Sequence, residues 1–403
     1  MSEWKECKLN NLALDFAMGP FGSNIKAENF IEAGVPVIRG KNLNFYKYVD
    51  GEFVFLSSDK ADELKSSNCY PGDLVFTHRG TIGQVGMIPK GKYERYVVSQ
   101  SGMKLTVDNS ILDADFLFYF FKSDIGQYEL LKNESQVGVP AISSPLSSLK
   151  NVDIRIPPLS EQKAIAGVLS SLDDKIDLLH RQNKTLEAMA ETLFRQWFVE
   201  EADEEWEEKP LSALLEFVVD NRGKTAPTSE YGIPLIATNC IKNSNVFPVF
   251  EKIRYVSKDA YDKWFRSHPK PGDIIFVNKG TPGCVNLVPN PVDFCIAQDM
   301  IALRVDNEKL SNYYLFLFFR SQEIQYEIIN SSVGTTIPHL KKTDLLQFSI
   351  TIPDKNRLFE FHNLVKPLFK KMESNYHQIR TLEKLRETLL PKLMSGEVRV
   401  KMS

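Results

Sequence analysis

The stretch YPGDLVFTHRGTIG (70–83) returns two hundred residues later as KPGDIIFVNKGTPG (270–283), in the same register. The echo extends along the chain. IEAGVPVIRGKNL (31–43) is answered by SEYGIPLIATNCI (229–241), and VVSQSGMKLTVD (97–108) by CIAQDMIALRVD (295–306). FLFYFFKSDIGQYELLKN (116–133) returns as YLFLFFRSQEIQYEIINS (314–331), and ETLFRQWF (191–198) as ETLLPKLM (387–394). The offset drifts only from 200 to 196. That period is too long for a solenoid, so the chain is a duplicated domain pair and must fold as one object written twice.

Each copy has two parts. The first mixes short β-like runs such as VPVIRG, DLVF and DIRIP with Gly, Pro and Asn punctuation, interrupted by one aromatic-rich helix. The second is a single long helix. In copy one, Ile165, Leu169, Leu172, Ile176, Leu179, Asn183, Leu186, Ala190, Leu193 and Trp197 keep an unbroken 4-3 spacing, a coiled-coil seam with one polar residue of the kind that fixes register. Copy two offers Leu358, Phe361, Val365, Leu368, Met372, Asn375, Ile379, Leu382, Arg386, Leu389 and Leu393, with Pro367 expected to kink or break the helix. Residues 162–198 would make a rod of ~55 Å at the α-helical rise. A seam that long exceeds what one domain covers, which favours pairing of the two helices over packing of each on its own domain.

The expected fold is α+β. A first domain (1–158) leads into a first long helix (159–199) and an acidic linker (200–208). A second domain (209–355), a second helix (356–395) and a short tail (396–403) follow, and the duplication gives a pseudo-two-fold object. The linker EEADEEWEE reads as a solvated charge run.

With 43% hydrophobic and 25% charged residues, the composition is that of an ordinary globular protein. The opening residues show no secretory pattern, and the longest apolar runs are far short of the ~20 residues that span a bilayer. The five cysteines form no CxxC pair and no zinc spacing, which points to a reducing cytoplasm and no metal. A net charge of −3 counts mildly against a nucleic-acid binder, so any DNA contact must rely on local patches.

Catalytic motifs are missing. NRGKT (221–225) contains GKT, but position 218 is Val where a phosphate loop needs glycine. No GxGxxG, GxSxG or HExxH occurs, and no nucleophile–base pair is legible beside His78. The chain reads as a non-enzyme. Recognition is suggested instead by the repeated hairpin tips. The first presents His78, Arg79, Thr81 and Gln84, and the second Asn278, Lys279 and Thr281. These are donors suited to phosphates and base edges, and Gly80 and Gly83 permit positive φ and close approach to a ligand. Alone, such a tip is as well explained by a tight solvated hairpin. The duplication tips the balance, because the backbone-forming residues persist while the exposed ones differ. Further basic and amide corners hold Arg39, Lys41 and Asn42, then Gln136, Arg222, Lys224 and Asn239, and finally His339, Lys341 and Lys342. Each by itself is more often an ordinary loop.

In order and duplication, FGSNIKAENFIEAGVPVIRGKNL, the paired PGDLVF…GTIG and PGDIIF…GTPG, IPPLSEQKAIAGVLSSLDDKID and the ending LRETLLPKLMSGEVRV resemble the specificity (S) subunits of type I restriction–modification systems. The resemblance covers the whole chain. It implies two target-recognition domains, each reading half of a bipartite, asymmetric double-stranded DNA target. It also implies antiparallel helices that set the spacer and dock two methyltransferase subunits. Those partners would carry S-adenosylmethionine and flip the target base out of the stack, and a translocating restriction subunit would join them. No cofactor is expected in this chain. SITIPDKNRL (349–358) departs from the PP..EQ form of copy one, which puts the start of the second helix in doubt. Two other classes stay open on the residues alone: a DNA-modifying enzyme with degenerate motifs, and a duplicated scaffold that never touches DNA.

Overall fold

A computed structural model describes residues 4–22, 24–43, 47–135, 138–203, 205–221, 223, 225–334 and 336–400. The chain divides into two compact units, residues 1–178 with 380–403, and residues 179–379. Each long helix therefore contributes residues to both.

In the first unit a four-stranded antiparallel sheet runs in the order Ala13–Met18, Gly102–Val107, Leu74–Thr77, Val85–Met87. Strand Leu74–Thr77 is buried on both faces, which is why Leu74, Val75 and Phe76 follow one another with no apolar–polar alternation. Leu74 and Phe76 pack with the aromatic helix Ala114–Lys122, while Val75 packs with Ile38, Tyr96 and Val98 of a second, mixed sheet. All of Phe116–Phe121 is buried. The second unit repeats the plan: Leu215–Asp220, Met300–Val305, Ile274–Val277, Val285–Leu287. Ile274 and Phe276 face the helix Asn312–Arg320, and Ile275 and Val277 face the other way. Each domain is closed at its root by an antiparallel pair, Lys5–Lys8 with Asp153–Ile156 and Glu207–Pro210 with Ser349–Ile352.

The repeated Pro-Gly-Asp is a turn device. Proline takes the first central position and Gly72 or Gly272 the second, at φ 94° and 85°, where a side chain is strained. The aspartate closes the loop by accepting from the backbone N–H of Tyr70 or Lys270, at 2.8 Å in both copies. It then reaches across the sheet: Asp73 accepts from Thr106 (2.7 Å), and Asp273 holds Arg304 through two bonds of 3.0 and 2.9 Å.

The long helices are Leu159–Arg195, continued by a π turn over Gln196–Glu200, and Lys355–Ser395. Within each unit they run antiparallel. In the first unit Ile165 and Leu169 share a core with Leu393 and Met394, and Asp173 Oδ1 pairs with Arg386 Nη1 at 2.7 Å. In the second, Asn375 donates to Asn183 Oδ1 at 2.8 Å and Phe198 meets Phe361 at 4.8 Å between ring centres. The two seam asparagines thus pair with each other, and Asn375 is fully buried.

Three expectations need correction. The second helix runs through Pro367 without interruption, with that proline on an exposed face. Its start at Lys355 is capped by Asp354, whose Oδ1 accepts from the N–H groups of Asn356 (2.8 Å) and Arg357 (3.2 Å). The acidic run is not simply a solvated linker. Glu207 and Glu208 lie in a paired strand, Glu201 pairs with Arg357, and Trp206 packs against the second unit's core. Finally, the buried stripe at the end of the first helix passes through Ala190, Phe194 and Phe198, leaving the expected Leu193 and Trp197 half-buried beside it. Here the helix must cover Tyr314 of the domain as well as Phe361 of its partner helix, so the stripe is broader than an a/d seam.

Candidate nucleic-acid interface

The first hairpin tip emerges where three strands end together, since Met18 pairs with Met103 and Thr77 with Gly102. Tight turns follow from the glycines: Gly80 and Gly83 sit at φ 84° and 81°, and Gly280 and Gly283 at 91° and 88°. The close approach at Gly83 is internal, however. A Cβ there would come within 2.8 Å of Gln127 Oε1, while the Gly80 position opens on empty space. Gln127 clamps the tip by donating to the carbonyls of Gly83 (3.0 Å) and Phe121 (2.5 Å), and Gln325 does the same to Gly283 (2.7 Å) and Phe319 (2.5 Å). The QYE tripeptide kept in both copies was the available signal for these clamps.

Arg79 and Thr81 are exposed on this tip, and Arg79 has no ion pair among the described residues. His78 is nearly buried, its Nε2 3.1 Å from the Gln100 carbonyl oxygen and its backbone N–H donating to Ser101. Burial pulls its pKa down, against the raising effect of its backbone bonds and with Arg79 adding to the depression. The ring is therefore neutral at pH 7, and the positive charge of the tip is that of Arg79.

Neighbouring segments gather around it. Gly40 abuts Gln84, where a Cβ would stand 3.1 Å from Oε1, and this brings the Arg39–Asn42 corner alongside. The segment 140–142 bonds to the tip through Gly80 N–H to Pro140 and Ile142 N–H to His78. Lys41 is exposed, 3.5 Å from Glu52, and Arg39 and Gln84 are half-buried. Asn42 must be withdrawn as a surface contact. It is fully buried, and its amide donates to the carbonyls of Asp50 and Glu52, both at 3.0 Å. Gln136 lies outside the described residues.

In the second unit Lys279 and Thr281 are exposed, and Lys279 again has no ion pair among the described residues. Asn278 is half-buried and braces the tip: its Nδ2 donates to Leu340 (3.2 Å), its carbonyl accepts from Leu340 N–H (2.8 Å), and its own N–H donates to Asp299. His339 bridges Lys279 and Val333 through the backbone and is half-buried. Lys341 is exposed, and Lys342 reaches Asp220 at 2.7 Å. Asn239 is exposed, although its Nδ2 donates to Glu251 at 2.6 Å. Arg222 and Lys224 lie outside the described residues. Each unit thus gathers a glycine-flanked tip, a basic residue without an ion partner and two or three flanking loops at one end of its sheet.

Away from the tips, Ser311 Oγ lies 2.9 Å from His362 Nδ1, with the ring's pKa lowered by burial and by Lys366. No carboxylate orients that imidazole among the described residues, so the contact ties the aromatic helix to the long helix. No group of His, Cys, Asp and Glu able to hold a metal occurs among the described residues, nor any helix long and apolar enough to cross a membrane.

Comparison with known proteins agrees with this architecture. The family described as type I restriction modification DNA specificity domain matches twice, over residues 1–188 and 203–383. The MjaIX specificity subunit of a type I restriction enzyme from Methanocaldococcus jannaschii is 30% identical, across 93% of this chain and 89% of its own length. The HindI specificity subunit from Haemophilus influenzae is 21% identical, covering 99% of this chain and all of its own. The crystal structure of the type I restriction–modification S subunit from M. genitalium superposes with a TM-score of 0.61 at 16% identity, covering the whole chain and 97% of that one, which is a likeness of fold. The chain belongs to the type I restriction–modification DNA specificity family.

Proposed function

We propose that this chain is the sequence-reading, non-catalytic subunit of a type I restriction–modification complex. Each domain binds one half of a bipartite, asymmetric double-stranded DNA target through its tip and flanking loops. The observation that carries this reading is a repeated scaffold with non-repeated exposed residues: turn, clamp glutamine and glycines recur, while Arg79 in one copy corresponds to Lys279 in the other. A protein binding the same ligand twice has no need to vary that pair. Of the nominated contacts among the described residues, Arg79, Thr81, Lys41, Asn239, Lys279, Thr281 and Lys341 are the exposed ones. Near-neutral net charge fits if partners supply much of the phosphate contact.

The paired helices set the spacer between half-sites and, with the domains, dock two methyltransferase subunits that hold S-adenosylmethionine and flip the target base. A restriction subunit joins this complex, which acts in the cytoplasm. The helix pairing suggests a direct test. One heptad inserted at Asn183 and one at Asn375 keeps facing residues matched and adds about 10 Å of helix, which lengthens the spacer by about 3 base pairs. Mapping methylated sites should show the same two half-sites farther apart. Altered half-sites with an unchanged spacer would refute the ruler.

A further inference from the structure

The turn Gly19–Pro20–Phe21–Gly22 was not among the nominated contacts, and it carries the most exposed large apolar side chain among the described residues, Phe21 at 83%. Single exposed hydrophobics are common on protein surfaces and need no explanation by themselves. Position and mounting set this one apart. The turn follows directly from strand Ala13–Met18, so it leaves the sheet at the same end as the tip. Gly19 N–H donates to Gly102 at 2.9 Å, and Asn24 N–H closes the turn on the Phe21 carbonyl at 2.8 Å. The backbone of the 99–102 loop requires the first flanking glycine, while the second sits against the end of the Gln100 side chain. A Cβ at Gly19 would stand 1.8 Å from the Ser99 carbonyl oxygen, and one at Gly22 2.6 Å from Gln100 Oε1. The same Gln100 holds His78 through its carbonyl, and Ser101 accepts from His78 N–H. Phe21 and the Arg79 tip are therefore built on one shared loop, 99–102.

A phenyl ring has no donor or acceptor, so it cannot read a base edge by hydrogen bonding. It can stack, or enter between base pairs as an apolar wedge, as aromatic side chains do on nucleic acids.

Resting on the DNA-reading function above, we propose that Phe21 is a base-stacking wedge for the half-site bound by the first domain, partly unstacking one of its base steps. The test uses the full chain co-purified with its methyltransferase subunits, on duplexes carrying the mapped target. Fluorescent analogues, 2-aminopurine for adenine and pyrrolo-cytosine for cytosine, are placed at each base pair of both half-sites in turn. Wild-type complex should raise the fluorescence at one step of one half-site only. F21A should abolish that rise and weaken binding to the target by about 5- to 150-fold, and F21W should retain both properties. Since Phe21 is solvent-exposed, F21A should co-purify with its partners as wild type does. Unchanged affinity and fluorescence in F21A would overturn the wedge, as would loss of partner co-purification with DNA binding intact. If the wild-type complex shows no preference for the mapped target, the DNA-reading function itself fails, a result distinct from either of these.

Discussion

Replacing Asp273 by alanine is expected to destabilise the second unit by about 3–5 kcal/mol, the cost of breaking a buried ion pair from one side. Asp273 and Arg304 are 2% and 14% exposed, and the guanidinium would be left in the sheet without its two carboxylate bonds. The turn would also lose the bond from Lys270 N–H. The equivalent change at Asp73 should cost less, about 1–3 kcal/mol, because its sheet partner is the neutral hydroxyl of Thr106. Asp73 already resists ionisation: burial pushes its pKa up, against the lowering bonds from Thr106 and Tyr70. Urea unfolding of the two variants, followed by probes in each unit, separates these costs. Equal losses would show that the Arg304 pair adds nothing to the turn. Asp73 and Asp273 therefore sit at one position of the repeat with unequal consequences.

Arg79→Ala and Lys279→Ala should each degrade recognition of a different half of the target. A well-placed cation on a base edge discriminates by about 1–3 kcal/mol, roughly 5- to 150-fold per base. Both side chains are exposed, so neither change should disturb folding. Methylation of a library with both half-sites randomised would read the outcome: relaxed choice at one position of one half for R79A, and of the other half for K279A. Loss at the same half in both variants, or uniform weakening at every sequence, would assign these residues to phosphate contact or to some other surface. His78→Asn should act differently. Its ring is neutral and packed on Gln100, so its loss loosens the tip without removing charge.

The duplication, the two long helices and the strand–turn units were legible because each depends on local patterns: a 4-3 seam, a Pro-Gly-Asp turn, and apolar runs bounded by glycine. What was not legible depends on where side chains point once the chain has packed. Asn42 and Asn278 looked like readers because amides suit base edges, yet both are used inside the protein to satisfy loop carbonyls. Gln162 in the EQ motif is likewise a fastener. Its Oε1 accepts from Asp113 N–H, and its Nε2 donates to the carbonyls of Ile111 and Pro157. Copy two lacks that glutamine and has Leu358, buried in the second unit's core, near the start of its helix. Phe194 and Phe198 escaped the seam because helical spacing alone does not reveal that a helix packs on two neighbours at once. Nothing in the 4-3 spacing marks Asp173, which accepts from Tyr119 and pairs with Arg386.

The central claim, that this chain chooses the DNA sequence its complex modifies, is tested most directly by genome-wide mapping of methylated bases in cells with and without it, its methyltransferase partner present in both. One bipartite motif should vanish when the chain is absent, and exchanging residues 1–158 for those of another family member should rewrite only one half of it. A methylation pattern that is unchanged when the chain is removed would contradict the account.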